Sequence, residues 1–298
     1  MQVVVASLVF AGCAAIAQAE QPVPEGETRA RAGDHPLDPG FAARAKHLNL
    51  KSSSALVVEQ DNGRLLYAKN TQAVVPIASI TKLMTAMVAL DAQLALDEPV
   101  RISEADIDGI KGTRSRLKIG TMLTRSDLLR LALMSSENRA AAALTRAYPG
   151  GSAAFVAAMN QKAIELGMWR TRFVDGTGLS SDNVSTAQDL VKMVNAAFHY
   201  PLVRSYTTGT DHAVRPAHGP VLQYRNSNGL VKNPSWHIGL SKTGYISEAG
   251  RCLVMQVEIA AMPVVIVLLD SWGKKTRIGD ANRIKKWLET HSARQPAG

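Results

Sequence analysis

Three short runs of the sequence carry side chains that can act together on a carbonyl. The first is Ser79-Ile80-Thr81-Lys82. Serine at i and lysine at i+3 share one helical face. A serine hydroxyl is a weak nucleophile until a base takes its proton. Lysine can be that base when burial or a cationic neighbour lowers its pKa. Pro76 predicts residue 79 in a first helical turn, where unpaired backbone N–H groups and the positive dipole end favour an oxyanion. Alone, the same pattern also describes a helix start with a solvated lysine.

The second run is Ser136-Glu137-Asn138, at the point where an apolar stretch ends and the chain must turn. Its hydroxyl can relay protons between Lys82 and a leaving group. Its amide offers both a donor and an acceptor. A polar helix cap reads the same way. The third run is Lys242-Thr243-Gly244, inside an otherwise strand-like segment. Glycine in a strand often marks close approach by a ligand or another backbone. Lysine and threonine together suit a carboxylate, one by charge and one by a hydrogen bond. An edge strand protected by lysine is the plainer account.

Other hydrolytic devices are missing from the sequence. There is no Gly-x-Ser-x-Gly elbow, no His-Glu-x-x-His, and no phosphate-binding glycine loop. The seven histidines are scattered without ligand spacing, so no metal or other cofactor is expected.

The elements that must position these residues follow from hydropathy. Residues 55–60 and 64–69 flank Asp61-Asn62-Gly63, a strong hairpin signal. Residues 79–93 carry apolar side chains at helical spacing. Thr124-x-x-Asp127 predicts a capping box ahead of a buried helix over 128–134. Further helices are expected at 139–146, 152–166 and 186–199. Strands are expected at 236–246, 251–260 and 263–270, with a closing amphipathic helix at 276–291. Strands at both ends and helices between predict an α+β fold. Its antiparallel sheet is built from both chain ends, with flanking helices and a helical middle lobe. The groove between sheet and helices is the natural site.

With 298 residues, one large domain or two small ones fit. Hydrophobic residues at 46% and charged residues at 20% exclude a disordered chain or a coiled coil. Two cysteines exclude a disulfide scaffold. The net charge of +9 points to a polyanion. No run of five basic residues and no nucleic-acid-binding motif is present, so nucleic acid is not the expected partner.

Residues 1–19 are uncharged and mostly apolar, and end in Ala17-Gln18-Ala19. They read as a secretory signal peptide, although no basic residue precedes the apolar run. Phe10-Ala11-Gly12-Cys13 is a weak alternative, with lipidation at Cys13. Residues 20–42 contain four prolines and no apolar periodicity, and read as a tether. Residues 43–290 are the expected folded domain and 291–298 a tail. No transmembrane span is expected in the mature chain. Export to the periplasm brings a basic protein to wall polymers rich in carboxylates and phosphates.

The three runs in this order resemble penicillin-binding proteins and class A β-lactamases. The flanks 78–86 and 173–179 look like low-molecular-mass D-alanyl-D-alanine peptidases. Those at 134–141 and 241–247 resemble the D,D-endopeptidase subgroup, the penicillin-binding protein 7 group. The resemblance runs from about residue 48 to 287.

The resemblance implies a penicillin-binding transpeptidase-like fold and acyl transfer to serine. It implies Ser79 as nucleophile, Lys82 as general base, and Ser136 as proton shuttle to the leaving amine. Asn138 would hold Lys82 and the substrate backbone. Lys242, Thr243 and Gly244 would meet the carboxylate side, and the N–H groups of Ser79 and Tyr245 would form the oxyanion hole. Arg251 would add carboxylate attraction, or simply be solvated. The partners implied are peptidoglycan cross-links as substrate and β-lactams as covalent inhibitors.

Residues 173–183 hold Asp175 and Asp182 but no glutamate to activate a deacylating water, so rapid lactam hydrolysis is not expected. The segment after residue 270 is too short for the second β-rich domain and membrane anchor of many carboxypeptidases. That favours a D,D-endopeptidase cutting D-alanyl–diaminopimelate cross-links, with a D-Ala-D-Ala carboxypeptidase as the alternative. A β-lactamase and a non-catalytic wall-binding module are more remote.

Overall fold

The computed structural model describes residues 48–216 and 219–292. The expected signal peptide and tether, residues 43–47 of the expected domain and the expected tail from 293 onward lie outside the described residues.

A five-stranded sheet is assembled from both ends of the sequence. Strands β1 (Ser52–Glu59) and β2 (Leu65–Lys69) come from the N-terminal side. Strands β3 (His237–Ile246), β4 (Gly250–Ile259) and β5 (Met262–Ser271) come from the C-terminal side. The spatial order is β2-β1-β5-β4-β3, with every neighbour antiparallel. β1 and β5 join the ends, pairing from Ser52 with Ser271 to Glu59 with Val264. The Asp61-Asn62-Gly63 turn closes the first hairpin, with Gly63 at φ 71° and Glu59 N–H donating to Arg64 O at 2.9 Å.

Both faces of this sheet are covered, which explains why its central strands read as nearly continuous apolar runs. One face buries Leu56, Val254, Val265 and Val267 against the helical middle. The other buries Val57, Leu253, Ile266 and Leu268 against Ile284 and Leu288. Those last two belong to the closing helix Thr276–Ser292.

The middle of the chain is helical: α1 (Lys82–Asp91), α2 (Arg125–Met134), α3 (Asn138–Arg146), α4 (Gly151–Glu165), α5 (Ala187–Phe198) and α6 (Pro201–Thr208). The closing helix is α7. α1 is buried from Lys82 to Ala89, as befits a helix apolar on nearly every side. α2 starts where expected, with Thr124 Oγ1 accepting from Asp127 N–H at 3.0 Å. The reciprocal half of the capping box does not form. The Asp127 carboxylate instead accepts from the Thr124 hydroxyl at 3.1 Å.

Some features depart from expectation. Residues 79–93 do not form one α-helix: Ala78–Thr81 is a 3₁₀ turn, and the α-helix begins at Lys82. The break follows from Ala78, which lies at φ 49° with no glycine to ease it. A small hairpin, Asp211–Val214 with Leu222–Arg225, and helix α6 carry no strong sequence signal and were not expected.

Candidate active site

The site is built where the edge of the sheet meets the start of α1. In the 3₁₀ turn the side chains at i and i+3 eclipse. This brings Lys82 Nζ to 2.9 Å from Ser79 Oγ. The turn is held by Ile80 N–H donating to Ile77 O and Thr81 Oγ1–H donating to Ala78 O.

Lys82 is completely buried. It donates to Asn138 Oδ1 at 2.7 Å and to Thr177 O at 2.5 Å. Burial pulls its pKa from 10.5 down to about 7, although the carboxylates of Asp175, Glu137 and Asp108 work the other way.

Asn138 is the first residue of α3, set by the turn that follows α2. In that turn Ser136 adopts φ 62°, a left-handed conformation costly for a residue other than glycine. The strain is retained where Ser136 Oγ accepts from Lys242 Nζ at 2.9 Å.

Lys242 arrives from β3, the edge strand of the sheet, and is 1% exposed. This burial overturns the plain edge-protection account, because a solvated lysine would point away from the groove. Burial, and then the charges of Lys82 and Arg277, push its pKa well below the usual value. It also donates to Thr243 O at 2.7 Å. Thr243 Oγ1 donates to Ser227 Oγ at 2.7 Å.

Gly244 permits the approach of β3 to the serine turn. A Cβ there would lie 2.9 Å from Ile77 O and 3.1 Å from both Ala78 Cβ and Ser79 N. The strand backbone at Gly244–Tyr245 therefore packs directly against the amide of Ser79. Arg251 pairs with Tyr245 across β3 and β4, and its guanidinium lies 4.4 Å from the Tyr245 ring centroid.

All three sequence runs thus meet at one point, with Lys82 bridging the first two and Lys242 bridging the last two. Two further contributors carried no usable motif. Thr177 offers only a backbone carbonyl, held by a turn wound around Asp175. That carboxylate accepts from the N–H groups of Thr177, Gly178 and Ser180 and from Asn183 Nδ2. Arg277 comes from α7 and donates to Gly244 O at 3.3 Å, while its Nε is buried without a hydrogen-bond partner. Only its basic neighbours Lys274 and Lys275 mark it in the sequence, and they give no reason to choose it.

Among the described residues no cluster of histidine, cysteine or acidic side chains is arranged to hold a metal ion. None of their helices is long and apolar enough to cross a membrane.

Comparison with known proteins gives the family of the chain. The family profile described as D-alanyl-D-alanine carboxypeptidase matches residues 41–273. A D-alanyl-D-alanine endopeptidase of Pseudomonas aeruginosa is 51% identical over 242 residues, covering 81% of this chain and 78% of the relative. The Escherichia coli protein of the same name is 47% identical over 250 residues, covering 84% of this chain and 81% of the relative. Penicillin-binding protein D2 of Listeria monocytogenes, solved in its cefotaxime-bound form, superposes with a TM-score of 0.71 at 29% identity. It covers 80% of this chain and 98% of its own. A match across most of the folded region, together with relatives this similar over most of their length, places the chain: it belongs to the S11 serine peptidases, the D-alanyl-D-alanine carboxypeptidase family.

Proposed function

We propose that this protein is a peptidoglycan D,D-endopeptidase. In this reading it cleaves D-alanyl–diaminopimelate cross-links through an acyl-enzyme on Ser79. The observation that carries the chemistry is the buried Lys82 amine, surrounded by Ser79 Oγ, Asn138 Oδ1 and Thr177 O. A neutral amine has two N–H bonds and one lone pair. The two carbonyl oxygens can only accept, so they take the N–H bonds. The lone pair is left to face the Ser79 hydroxyl.

Ser79 Oγ attacks the D-alanyl carbonyl carbon as Lys82 removes its proton. The oxyanion lies between the N–H groups of Ser79 and Tyr245, and one such donor is worth about 10²–10³ in rate. As the tetrahedral intermediate collapses, Ser136 gives its proton to the departing amine and takes up the one that Lys82 removed from Ser79. Lys242 keeps the Ser136 hydroxyl oriented. Thr243 and Arg277 receive the carboxylate next to that amine. Water then hydrolyses the ester. A β-lactam enters by the same attack and remains on Ser79, because residues 173–183 contain no glutamate to activate water.

Preference for cross-links is supported by the relatives at 51% and 47% identity, both named endopeptidase. A relative named carboxypeptidase, from Bacillus subtilis, is 29% identical. The signal-like residues 1–19 and the proline-rich tether fit an exported enzyme working in the periplasm, where the wall is.

The test is a product assay by liquid chromatography and mass spectrometry on pentapeptide monomers mixed with cross-linked dimers, with Ser79→Ala as control. Dimers falling to monomers while pentapeptide persists is the expected result. Loss of one D-Ala from the pentapeptide with the dimer intact would make the enzyme a carboxypeptidase instead.

A further inference from the structure

A cavity of about 750 Å³ opens beside the turn that carries Ser136. Its walls are the loop carrying Arg114 and Arg116, the turn residues Ser135 and Glu137, and the strand end with Tyr224 and Arg225. Three guanidinium groups thus face one carboxylate. The side chains of Arg114 and Arg225 form no hydrogen bond or ion pair among the described residues. Arg116 donates to Gln223 O at 2.5 Å and lies 3.9 Å over the Tyr224 ring. Glu137 is occupied as the cap of α3, accepting from Arg139 N–H at 3.2 Å.

Tyr224 is 2% exposed, and its hydroxyl is buried with no hydrogen-bond partner. Burial and then the Glu137 charge push its pKa up to about 12, although the neighbouring Arg116 guanidinium works the other way, so the phenol remains a donor. A buried donor beside Arg116, in a cavity that Arg114 and Arg225 also line, is arranged for an anion with two oxygens.

The location says which anion. Ser135 and Glu137 flank Ser136, which accepts from Lys242. From Arg225 the chain runs through Asn226 to Ser227, whose Oγ accepts from Thr243 Oγ1 at 2.7 Å. The cavity therefore lies on the Ser136–Thr243 side of Ser79, the side toward which the amine departs.

We propose that this cavity binds a second carboxylate of the leaving peptide, held by Arg114, Arg225 and the Tyr224 hydroxyl. The proposal rests on the endopeptidase reading and deepens it. A released D-Ala carries one carboxylate, which Thr243 and Arg277 already meet. A released peptide stem carries further carboxylates that reach past them. The cavity thus favours a cross-link over a terminal D-Ala.

The test compares the wild-type chain with Arg114→Gln/Arg225→Gln and with Tyr224→Phe. Substrates are a cross-linked dimer and the same dimer amidated at its leaving-side carboxylates other than the one next to the reacting amine. The double variant is expected to raise KM for the ordinary dimer by about tenfold or more, with kcat within about twofold. The wild type should suffer the same rise when the dimer is amidated, and the variant no additional rise. The conservative Tyr224→Phe change should give a smaller rise in the same direction, abolished by amidation. Penicillin acylation reports whether each variant is folded, since a penicillin presents no leaving peptide. If the double variant acylates poorly, Tyr224→Phe decides the question alone. A KM unchanged in the variants, or a penalty as large on the amidated dimer, overturns the proposal. A wild type that trims pentapeptide but leaves dimers intact overturns the endopeptidase reading, and this proposal with it.

Discussion

The Lys82 amine stands 2.7 Å from the side-chain oxygen of Asn138. The orientation of that amide is not free, because Asn138 Nδ2 donates to Thr113 Oγ1 at 3.0 Å. Turning the amide over would set two donors against each other at Lys82. Asn138 therefore holds one amine proton, Thr177 O holds another, and the third tetrahedral direction points at Ser79.

A base that works through a lone pair cannot be replaced by a permanent cation. Lys82→Arg keeps the charge but cannot be deprotonated. Acylation of Ser79 by a fluorescent penicillin should fall by about 10³-fold or more, in line with the loss of a general base. Labelling at the wild-type rate in a variant with an unchanged melting temperature would remove Lys82 from that role.

The same buried amine sets a pH dependence. With its pKa near 7, Lys82 is protonated and inactive at pH 5 and neutral at pH 9. The acylation rate should rise with pH, pass half-maximum near 7 and then level off. Glu137 raises this pKa. Glu137→Gln, which can still cap α3, should therefore move the midpoint to lower pH. A rate profile flat from pH 5 to 9 would contradict the lowered pKa. The linkage to stability has the same sign. The unfolded lysine, with its ordinary pKa of 10.5, binds more protons than the folded one between about pH 7 and 10.5. This group's contribution to stability therefore rises with pH through that window.

Gly244 and Gly178 both crowd the serine turn, but to different degrees. A Cβ at Gly178 would lie 2.0 Å from Ala78 O, and its φ of 78° already disfavours a side chain. A Cβ at Gly244 would lie 2.9 Å from Ile77 O. That contact is with backbone, so the edge strand must shift to relieve it, but by less than Gly178 would require. Gly244→Ala should fold, lose about 1–3 kcal/mol of stability as overpacked sites do, and acylate about 10²-fold more slowly as the oxyanion donors separate. Gly178→Ala should lose more stability than Gly244→Ala. Thermal melts and penicillin acylation measured side by side distinguish the two, and equal behaviour of both would contradict the geometry.

How much of this was legible in the sequence depends on the kind of group involved. Ser79, Lys82, Ser136, Asn138 and Lys242 meet through their side chains, and their types and order picked them out as candidates. The Asp61-Asn62-Gly63 hairpin was legible because turn chemistry is local. The Thr177 carbonyl was not, since every residue has one and only the Asp175-centred turn aims it. The 3₁₀ start of α1 was hidden because the strained residue is Ala78, where the residue type gives no hint of a positive φ. Ser136 is strained in the same way, at φ 62°, and was found through its hydroxyl rather than its backbone. The cavity wall at Tyr224 belongs to a short hairpin whose strands are too brief to show a period. Arg277 was unreadable because it reaches the site from the last helix, as one cation among several.

Arg277 supplies the last prediction. Its charge is opposed by burial and by Arg251, which together lower its pKa, and its Nε has no hydrogen-bond partner. A cation kept in such a place is explained if the substrate brings the anion. A carboxylate between Arg277 and Thr243 would supply the missing acceptor and offset the burial. Arg277→Gln should lower kcat/KM for carboxylate-bearing substrates by about 10²-fold, the range of a charge-assisted hydrogen bond lost in a desolvated site. The discriminating measurement uses a penicillin and its carboxylate ester. The wild type should acylate far more slowly with the ester, while Arg277→Gln should treat acid and ester almost alike. If the variant keeps the full preference for the free acid, Lys242 and Thr243 bind the carboxylate without it. Arg277 would then serve only to fix α7 against Gly244.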